Sequence, residues 1–388
     1  MTQVRTAWQW RNAHRAPANR VTMVEIFFDL VFVLTLTQLT RMLEADLSLT
    51  GVGRVLLLFG ILWWMFDGYV WLPNHVPPQQ PVQKLLLFTA MAGFLIAAVG
   101  MPHAFGETGL VFAMGYLVVI CVHLLMFTQA DLGRALRRLA AYNLGSASLV
   151  LAGGLAHGTV RYGLWMAALA LQMVIPYLVP RLSWMSLVSS FRIEPAHFVE
   201  RHGLLVIIAL GESVVAIGMG VDGEHLTAGI VAAVVLALAL PVALWAAYFT
   251  DAGGTEAALA VTEPGPRARL ALRMGFAHVP LMLGVVIAAA GIHSVVAHPG
   301  HPSTSAAALA LSGGVVVFLA GIAEIRHSLR IVPVRTRLVT AVAVLAMMPI
   351  GVAVNAGLHL AAVVAVVVAM LAVDRHAART LGRPSDGP

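Results

Sequence analysis

The chain holds one cysteine in 388 residues, Cys121, set in an apolar run. A single thiol excludes an internal disulfide and any multi-cysteine metal site. Charge is scarce too: 11% of the residues are Asp, Glu, Lys or Arg, against about 25% in a soluble domain. Lysine occurs once, at Lys84, and arginine supplies the other 23 basic residues. The sequence has no phosphate-cradling G-x-x-x-x-G-K-[ST] loop, no H-E-x-x-H and no G-x-S-x-G elbow. It offers no long polar segment that could host a soluble catalytic domain. ATP hydrolysis, zinc peptidase chemistry and serine hydrolase chemistry are therefore not expected, and neither is a cofactor.

Hydrophobic residues make up 60% of the chain, and the mean hydropathy is +0.87. These values place it among all-α polytopic membrane proteins. Apolar runs of spanning length fall at 24–43, 52–72, 84–101, 109–130, 139–156, 162–180, 201–220, 226–249, 272–296, 304–324, 337–354 and 357–373. That predicts about 12 transmembrane helices; the last two are separated only by Asn355–Gly357, and their fusion would leave eleven. Basic residues alternate with this count. Placing the N-terminus inside puts all of them on inner segments except Arg41, Arg54 and Arg161. The positive-inside rule then sets both termini in the cytoplasm. Read this way, the formal charge of +6 is a topology signal, not a nucleic-acid footprint. Residues 1–20 form a basic cytoplasmic tail without the short apolar core of a signal peptide, and 376–388 form a second tail.

Self-similarity suggests a tandem arrangement. Met91–Gly100 (MAGFLIAAVG) resembles Met282–Gly291 (MLGVVIAAAG), and Val24–Gln38 aligns more weakly with Val199–Ser213. The expectation is a 6+6 parallel repeat, with membrane halves at 21–190 and 191–375. An even number of helices per half relates them by an axis along the membrane normal.

Polar residues at membrane depth are the candidates for chemistry. His197–Ser213 (HFVERHGLLVIIALGES) carries Glu200 near its start and Glu212 twelve residues on. At ~1.5 Å per residue, Glu212 lies roughly 18 Å further into a ~30 Å hydrocarbon core. An ionised carboxylate there must face the bundle interior and be paired or protonated; an internal hydrogen-bonded acid is the structural alternative. Gly211 beside it would admit a close helix neighbour. On the first helix, Glu25 and Asp29 share a face. Glu25 also completes a Thr22-x-x-Glu25 capping box. Thr37, Gln38 and Ser213 would extend a polar path. Glu200 and Arg201 read as an interfacial ion pair at a helix start. Asp67 follows Trp63 and Trp64, which read first as an interfacial belt, and Asp251 is its counterpart in the second half. His278 precedes a helix-breaking Pro280. His123, Asn355 and His359 are further polar groups at depth, and Glu324 pairs most simply with Arg326. His293, His298 and His301 cluster without a carboxylate or thiol nearby in sequence, so no metal site is expected.

Together, VEIFFDLVFV near the start, the WW-to-Asp-to-Asn segment, HFVERHGLLVIIALGES, LWAAYFTD and AHVPLMLGVVIAAAG resemble the bacterial low-temperature-requirement A (LtrA) family. The resemblance runs from about residue 20 to 375. It implies a multi-pass protein of the bacterial plasma (inner) membrane, linked by the family's name to growth in the cold. Glu25, Phe28, Asp29, Glu200, Arg201, Gly203, Gly211, Glu212 and Ser213 are the family-typical positions. The WWMFDGYVWLPNH segment departs from the pattern in having fewer polar and hydroxyl residues.

Three functions fit these residues. The first is a proton- or ion-coupled secondary transporter with Glu212 as protonatable group, Asp29 as its counterpart, and Glu200, Glu25, Gln38, Ser213, Asp67 and His278 as further candidates. The second is a non-transporting stress-adaptation scaffold whose acids join helices. The third is a lipid-modifying enzyme using Glu25, Asp29 and Glu200 at one interface. Expected partners are membrane lipids, a proton or small ion and an unidentified small molecule, with no nucleic acid.

Overall fold

The computed structural model describes residues 21–130, 133–174, 191, 193–221, 227–250, 252–331 and 334–381. Among them there is no β-strand. The helices are α1 (Met23–Ala45), α2 (Leu49–Trp71), α3 (Pro81–Gly100), α4 (Gly109–Phe127), α5 (Arg134–Leu155), α6 (Gly158–Leu169, ending in a π turn over Ala170–Val174) and α7 (Pro195–Val221). They continue as α8 (Ala228–Phe249), α9 (Ala252–Val261), α10 (Pro264–Ala297), α11 (Ser305–Ser328), α12 (Arg335–Ala346), α13 (Met348–Ala353) and α14 (Ala356–Leu381).

Ten helical segments among the described residues are long and apolar enough to cross a membrane. They include Arg335–Ala353 and Ala356–Ala377 as separate segments, so the short Asn355 break does divide the last two expected spans. Of the twelve expected, the fifth coincides with α5, whose first turns carry Arg134, Arg137 and Arg138. The sixth starts on α6 and continues into residues 175–180, outside the described residues. The N-terminal tail, Arg181, Arg192, Asp222, Glu224, Asp251 and Arg383 also lie outside them.

Long apolar side chains point outward from the bundle. Val231, Val235, Leu238, Val242 and Trp245 form one exposed stripe along α8, and Leu85, Phe88, Leu95, Ile96 and Val99 do the same on α3. Such stripes are stable only against lipid, and they confirm the multi-pass reading. Cys121 is also exposed, on α4.

α1 is enclosed by α3, α7 and α10. Its FFDLVF segment has two functional faces. Phe28 and Phe32, one turn apart, pack into an aromatic cluster with Trp63, Phe66 and Phe94; Phe32 stacks on Phe66 with ring centroids 4.0 Å apart. Asp29, on the neighbouring face, turns to α7. Trp63 is 1% exposed and belongs to this cluster, while Trp64 donates its indole N–H to Asn143 Oδ1 at 2.9 Å. Trp63 is therefore a core residue and Trp64 is half-buried against the core, correcting the expectation of an interfacial belt for Trp63. An indole buried in the bundle is held by ring packing and a hydrogen-bond partner, not by the headgroup region.

The repeated glycine motif marks two close crossings. A Cβ on Gly93 would lie 2.9 Å from the Gly115 carbonyl, and one on Gly100 would lie 2.8 Å from Phe112 N, where α3 meets α4. A Cβ on Gly284 would lie 2.5 Å from Phe318 N and 2.7 Å from the Gly314 carbonyl, and one on Gly291 would lie 2.4 Å from Leu311 N, where α10 meets α11. At each crossing the missing side chain lets two backbones touch. Gly211 does not act this way: a Cβ there would meet nothing within 4 Å. Its expected role in admitting a neighbour is overturned, because it faces away from the packed side of α7.

Candidate functional site

α1 and α7 bring two groups of polar side chains together along their shared interface. The first is centred on Arg201 of α7. Its Nη2 and Nε donate to Asp29 Oδ1 and Oδ2 at 2.5 and 3.1 Å, and its Nη1 donates to Glu25 Oε1 at 3.1 Å. His197, one turn earlier on α7, places Nε2 2.9 Å from the same Glu25 oxygen. The second Glu25 oxygen accepts from the Thr22 backbone N–H and hydroxyl, both at 2.7 Å. Glu25 thus closes the expected capping box with one oxygen and joins α7 with the other. Arg201, Asp29 and Glu25 are all at most 2% exposed. A bidentate Arg–carboxylate fork with this burial is strong and geometrically demanding.

Two corrections follow. Arg201 was expected to pair at the interface with its neighbour Glu200, but it turns inward to α1. Glu200 is exposed, and its Oε2 accepts only from the Val21 backbone N–H, at 3.3 Å, among described contacts. Residues 200 and 201 lie about 100° apart around a helix, so one of them faces the bundle and the other leaves it.

Beside this cluster lies a chain of aromatic and acidic groups. Asp67 of α2 accepts the Trp71 indole N–H on Oδ2 at 3.1 Å, and its Oδ1 faces His202 Nε2 at 3.7 Å. The His202 ring packs at a tilt against His278 of α10, with centroids 4.4 Å apart and ring planes 50° apart. His278 places Nδ1 2.8 Å from the Met274 carbonyl and Nε2 2.9 Å from the Tyr248 hydroxyl. Asp67 is 7% exposed and does not mark a helix end; His202 and His278 are fully buried. Gly275 makes room, since a Cβ there would lie 2.7 Å from Asp67 Oδ1.

The second group sits further along the same two helices. Thr37 donates its hydroxyl to Glu212 Oε2 at 2.5 Å, and the Val33 carbonyl is a second acceptor at 3.4 Å. The Thr40 hydroxyl lies beside the same carboxyl without completing a hydrogen bond. Glu44 lies further along α1, and its Oε1 faces His293 Nδ1 of α10 at 3.7 Å. Glu212 and Ser213 are 3% and 2% exposed. No described Arg, Lys or His forms an ion pair with Glu212. Gln38 is half-buried and makes no hydrogen bond to a described residue.

Between the groups, α1 contributes Phe32, Val33 and Leu36 and α7 contributes Leu205, Val206 and Ala209, all buried. Asp29 to Thr37 is eight residues and Arg201 to Glu212 is eleven, so this apolar layer is roughly 12–16 Å thick at ~1.5 Å per residue.

The remaining candidates are structural. His123 Nδ1 faces the Asn143 amide at 3.4 Å, His359 Nε2 lies 2.8 Å from the Ser312 hydroxyl, and Asn355 accepts the Leu358 N–H at 2.8 Å. Glu324 takes Arg273 and Ser328, each at 2.8 Å, in place of the expected Arg326. Among the described residues no group of three or more His, Cys, Asp or Glu is arranged to hold a metal ion. Sequence reasoning did not single out His197, Glu44 or the Asp67–His202 contact. Glu44 sat in a loop by its position in the runs, and the other contacts join residues more than 100 apart.

The family profile described as Bacterial low temperature requirement A protein (LtrA) matches residues 20–373. The chain is also 30% identical over 324 residues to a Rhizobium meliloti (strain 1021) protein called Uncharacterized protein RA0937, covering 80% of this chain and 78% of that one.

Proposed function

The chain belongs to the bacterial low-temperature-requirement A family, and from that premise we propose that it is a proton-coupled secondary transporter of the bacterial plasma membrane with Glu212 as its proton carrier. One observation carries the reading: Glu212 is buried, held by a hydroxyl, and without an ion-pair partner among the described residues. A hydroxyl that can turn between two acceptors suits a group that gains and loses a proton. When Glu212 is ionised, Thr37 donates to it. When Glu212 is protonated, its own O–H donates to Thr37 Oγ1, and the Thr37 proton turns to the Val33 carbonyl. Neither state leaves the Thr37 hydroxyl or the Glu212 carboxyl without a partner, which removes the usual obstacle to titrating a buried acid.

Two polar groups separated by an apolar layer, on parallel first helices of two halves, suit an alternating-access device. In this reading the Arg201 cluster belongs to the cytoplasmic side and the Glu212 group to the outer side. The substrate is a small molecule whose entry or exit is driven by the proton. Such a protein would support growth in the cold by maintaining a solute gradient, as the family's name suggests.

The scaffold reading has its own observation: Arg201 of α7 locks Glu25 and Asp29 of α1, as a static tie would. The lipid-enzyme reading would have to join the exposed Glu200 to Glu25 and Asp29, which are buried and bonded to Arg201.

Proton flux in proteoliposomes under imposed pH and voltage gradients tests the proposal. Wild type is expected to conduct or exchange protons, and folded Glu212→Gln to lose at least tenfold of that rate. Equal flux in wild type and Glu212→Gln would remove Glu212 as carrier. Absence of flux in wild type across a panel of amino acids, sugars and inorganic ions would favour the scaffold.

A further inference from the structure

We propose that Asp67 and His202 form a second proton-binding site, in which one proton is held between the carboxyl and the imidazole. Geometry carries the argument. His202 Nδ1 lies 2.9 Å from the Phe198 carbonyl, a group that can only accept. Nδ1 therefore bears a hydrogen, and in the neutral ring Nε2 is a bare lone pair. That lone pair faces Asp67 Oδ1 at 3.7 Å. Among the described residues neither atom has a hydrogen-bond partner, and both are buried. Two acceptors opposed in a dry interior repel; a proton between them turns the contact into an attraction.

The neighbours on every side fit one proton. Trp71 donates to the other Asp67 oxygen, so Oδ1 is the free position. Asp29 of α1 is near enough to act on His202 by charge, but its two oxygens are taken by Arg201. His278 of α10, packed at a tilt against His202, has both nitrogens engaged in its neutral form, Nδ1 donating to Met274 and Nε2 accepting from Tyr248. It offers no competing site. Gly275 leaves the space that Asp67 Oδ1 occupies. Tyr248 lines a small cavity with Val199, Gly203, Phe249 and Met274, which gives the cluster a water-sized neighbour.

The proton moves within the pair by breaking the Asp67 O–H bond as the His202 Nε2–H bond forms, with no change in total charge. Release to water removes one positive charge and restores the opposed acceptors. The site thus has one favoured occupancy and a cost on leaving it, set in the helix junction of α2, α7 and α10. This inference does not need the transport reading to hold, because it concerns equilibrium proton binding.

The test is 15N NMR of histidine-labelled full-length protein in lipid nanodiscs, with the His202 signals identified by their loss in His202→Gln. In wild type near pH 7, Nδ1 is expected as a protonated nitrogen. Nε2 is expected to be either protonated or shifted by a strong hydrogen bond. In Asp67→Asn the amide can donate to Nε2, so Nε2 is expected to change from the wild-type signal to that of an unprotonated nitrogen accepting a hydrogen bond. Glu212→Gln is expected to leave the His202 signals where they are, which separates this site from the transport proposal. An unbonded imine signal for Nε2 in wild type at neutral pH would overturn the inference. So would a His202 Nε2 signal in Asp67→Asn that matches that of wild type. Should Asp67→Asn fail to fold, the wild-type spectrum alone decides.

Discussion

Removing the Arg201 guanidinium would leave Glu25 and Asp29 buried on one face of α1 with His197 as the nearest remaining basic group. Breaking a buried ion pair from one side costs about 3–5 kcal/mol, since the stranded charge loses both water and partner. Arg201→Met is therefore expected to lower the thermal midpoint of the purified protein in nanodiscs sharply. Arg201→Lys should be intermediate, because an ammonium cannot fork onto both Asp29 oxygens. Adding Asp29→Asn to Arg201→Met should restore part of the loss. If the double variant were as unstable as the sum of the singles, the two residues would not be coupled. At this scale the sequence was readable where depth alone decides. Asp29 and Glu212 stood out because no carboxylate sits in lipid without a reason. Arg201 was misread because a basic residue near a helix start has two plausible faces, and only tertiary packing chooses between them.

The glycine motif decides how closely pairs of helices approach. Gly314→Ala would place a Cβ 2.3 Å from Ala288 N, and Gly284→Ala would place one 2.5 Å from Phe318 N; both are backbone atoms that cannot step aside. Each variant is expected to destabilise by about 1–3 kcal/mol, the usual range for overpacking. Gly93→Ala, against the Gly115 carbonyl at 2.9 Å and the movable Val119 side chain, should cost less. Gly211→Ala is the control. It meets nothing within 4 Å, and replacing a mid-helix glycine should leave stability unchanged or raise it by up to ~1 kcal/mol. Thermal melting of the four variants checks the order, and a Gly314→Ala protein that melts with wild type would contradict the close crossing. The M-x-G-x-x-x-A-x-x-G spacing was legible in the sequence as a repeat. What it packs against was not, because Gly115 and Gly314 lie on other helices, α4 and α11, and only tertiary packing brings them to the motif. The same limit applied to Trp63 and Trp64, whose sequence setting fits an interface as well as a core.

For the whole molecule, the open quantity is the number of crossings, and Arg161 bears on it. This residue, one of three basic residues that the loop-charge pattern leaves on the outer side, is 2% exposed. Its Nε donates to the Gly153 and Ala156 carbonyls, both at 3.0 Å, and its Nη1 donates to Ala104 and Gly106 at 2.7 and 2.6 Å. The first pair of acceptors closes the C-terminus of α5; the second belongs to the turn between α3 and α4. Arg161 therefore neutralises carbonyl-rich helix ends instead of sitting in water, and so escapes the rule that keeps free cations inside. It also ties the α5–α6 junction to the same end of the bundle as the α3–α4 turn. Since α5 begins after the opposite end of α4 and packs along it, α5 runs the height of the bundle despite its three arginines. From this we predict that a phosphatase reporter inserted at His157, between α5 and α6, is active outside the cytoplasm, as is one at Gly106. A reporter following Pro388 should be inactive, and a cytoplasmic fluorescent fusion there should be bright. Activity at Gly106 without activity at His157 would mean that α5 and α6 do not cross, and would return the count to the ten segments that length and hydropathy alone identify.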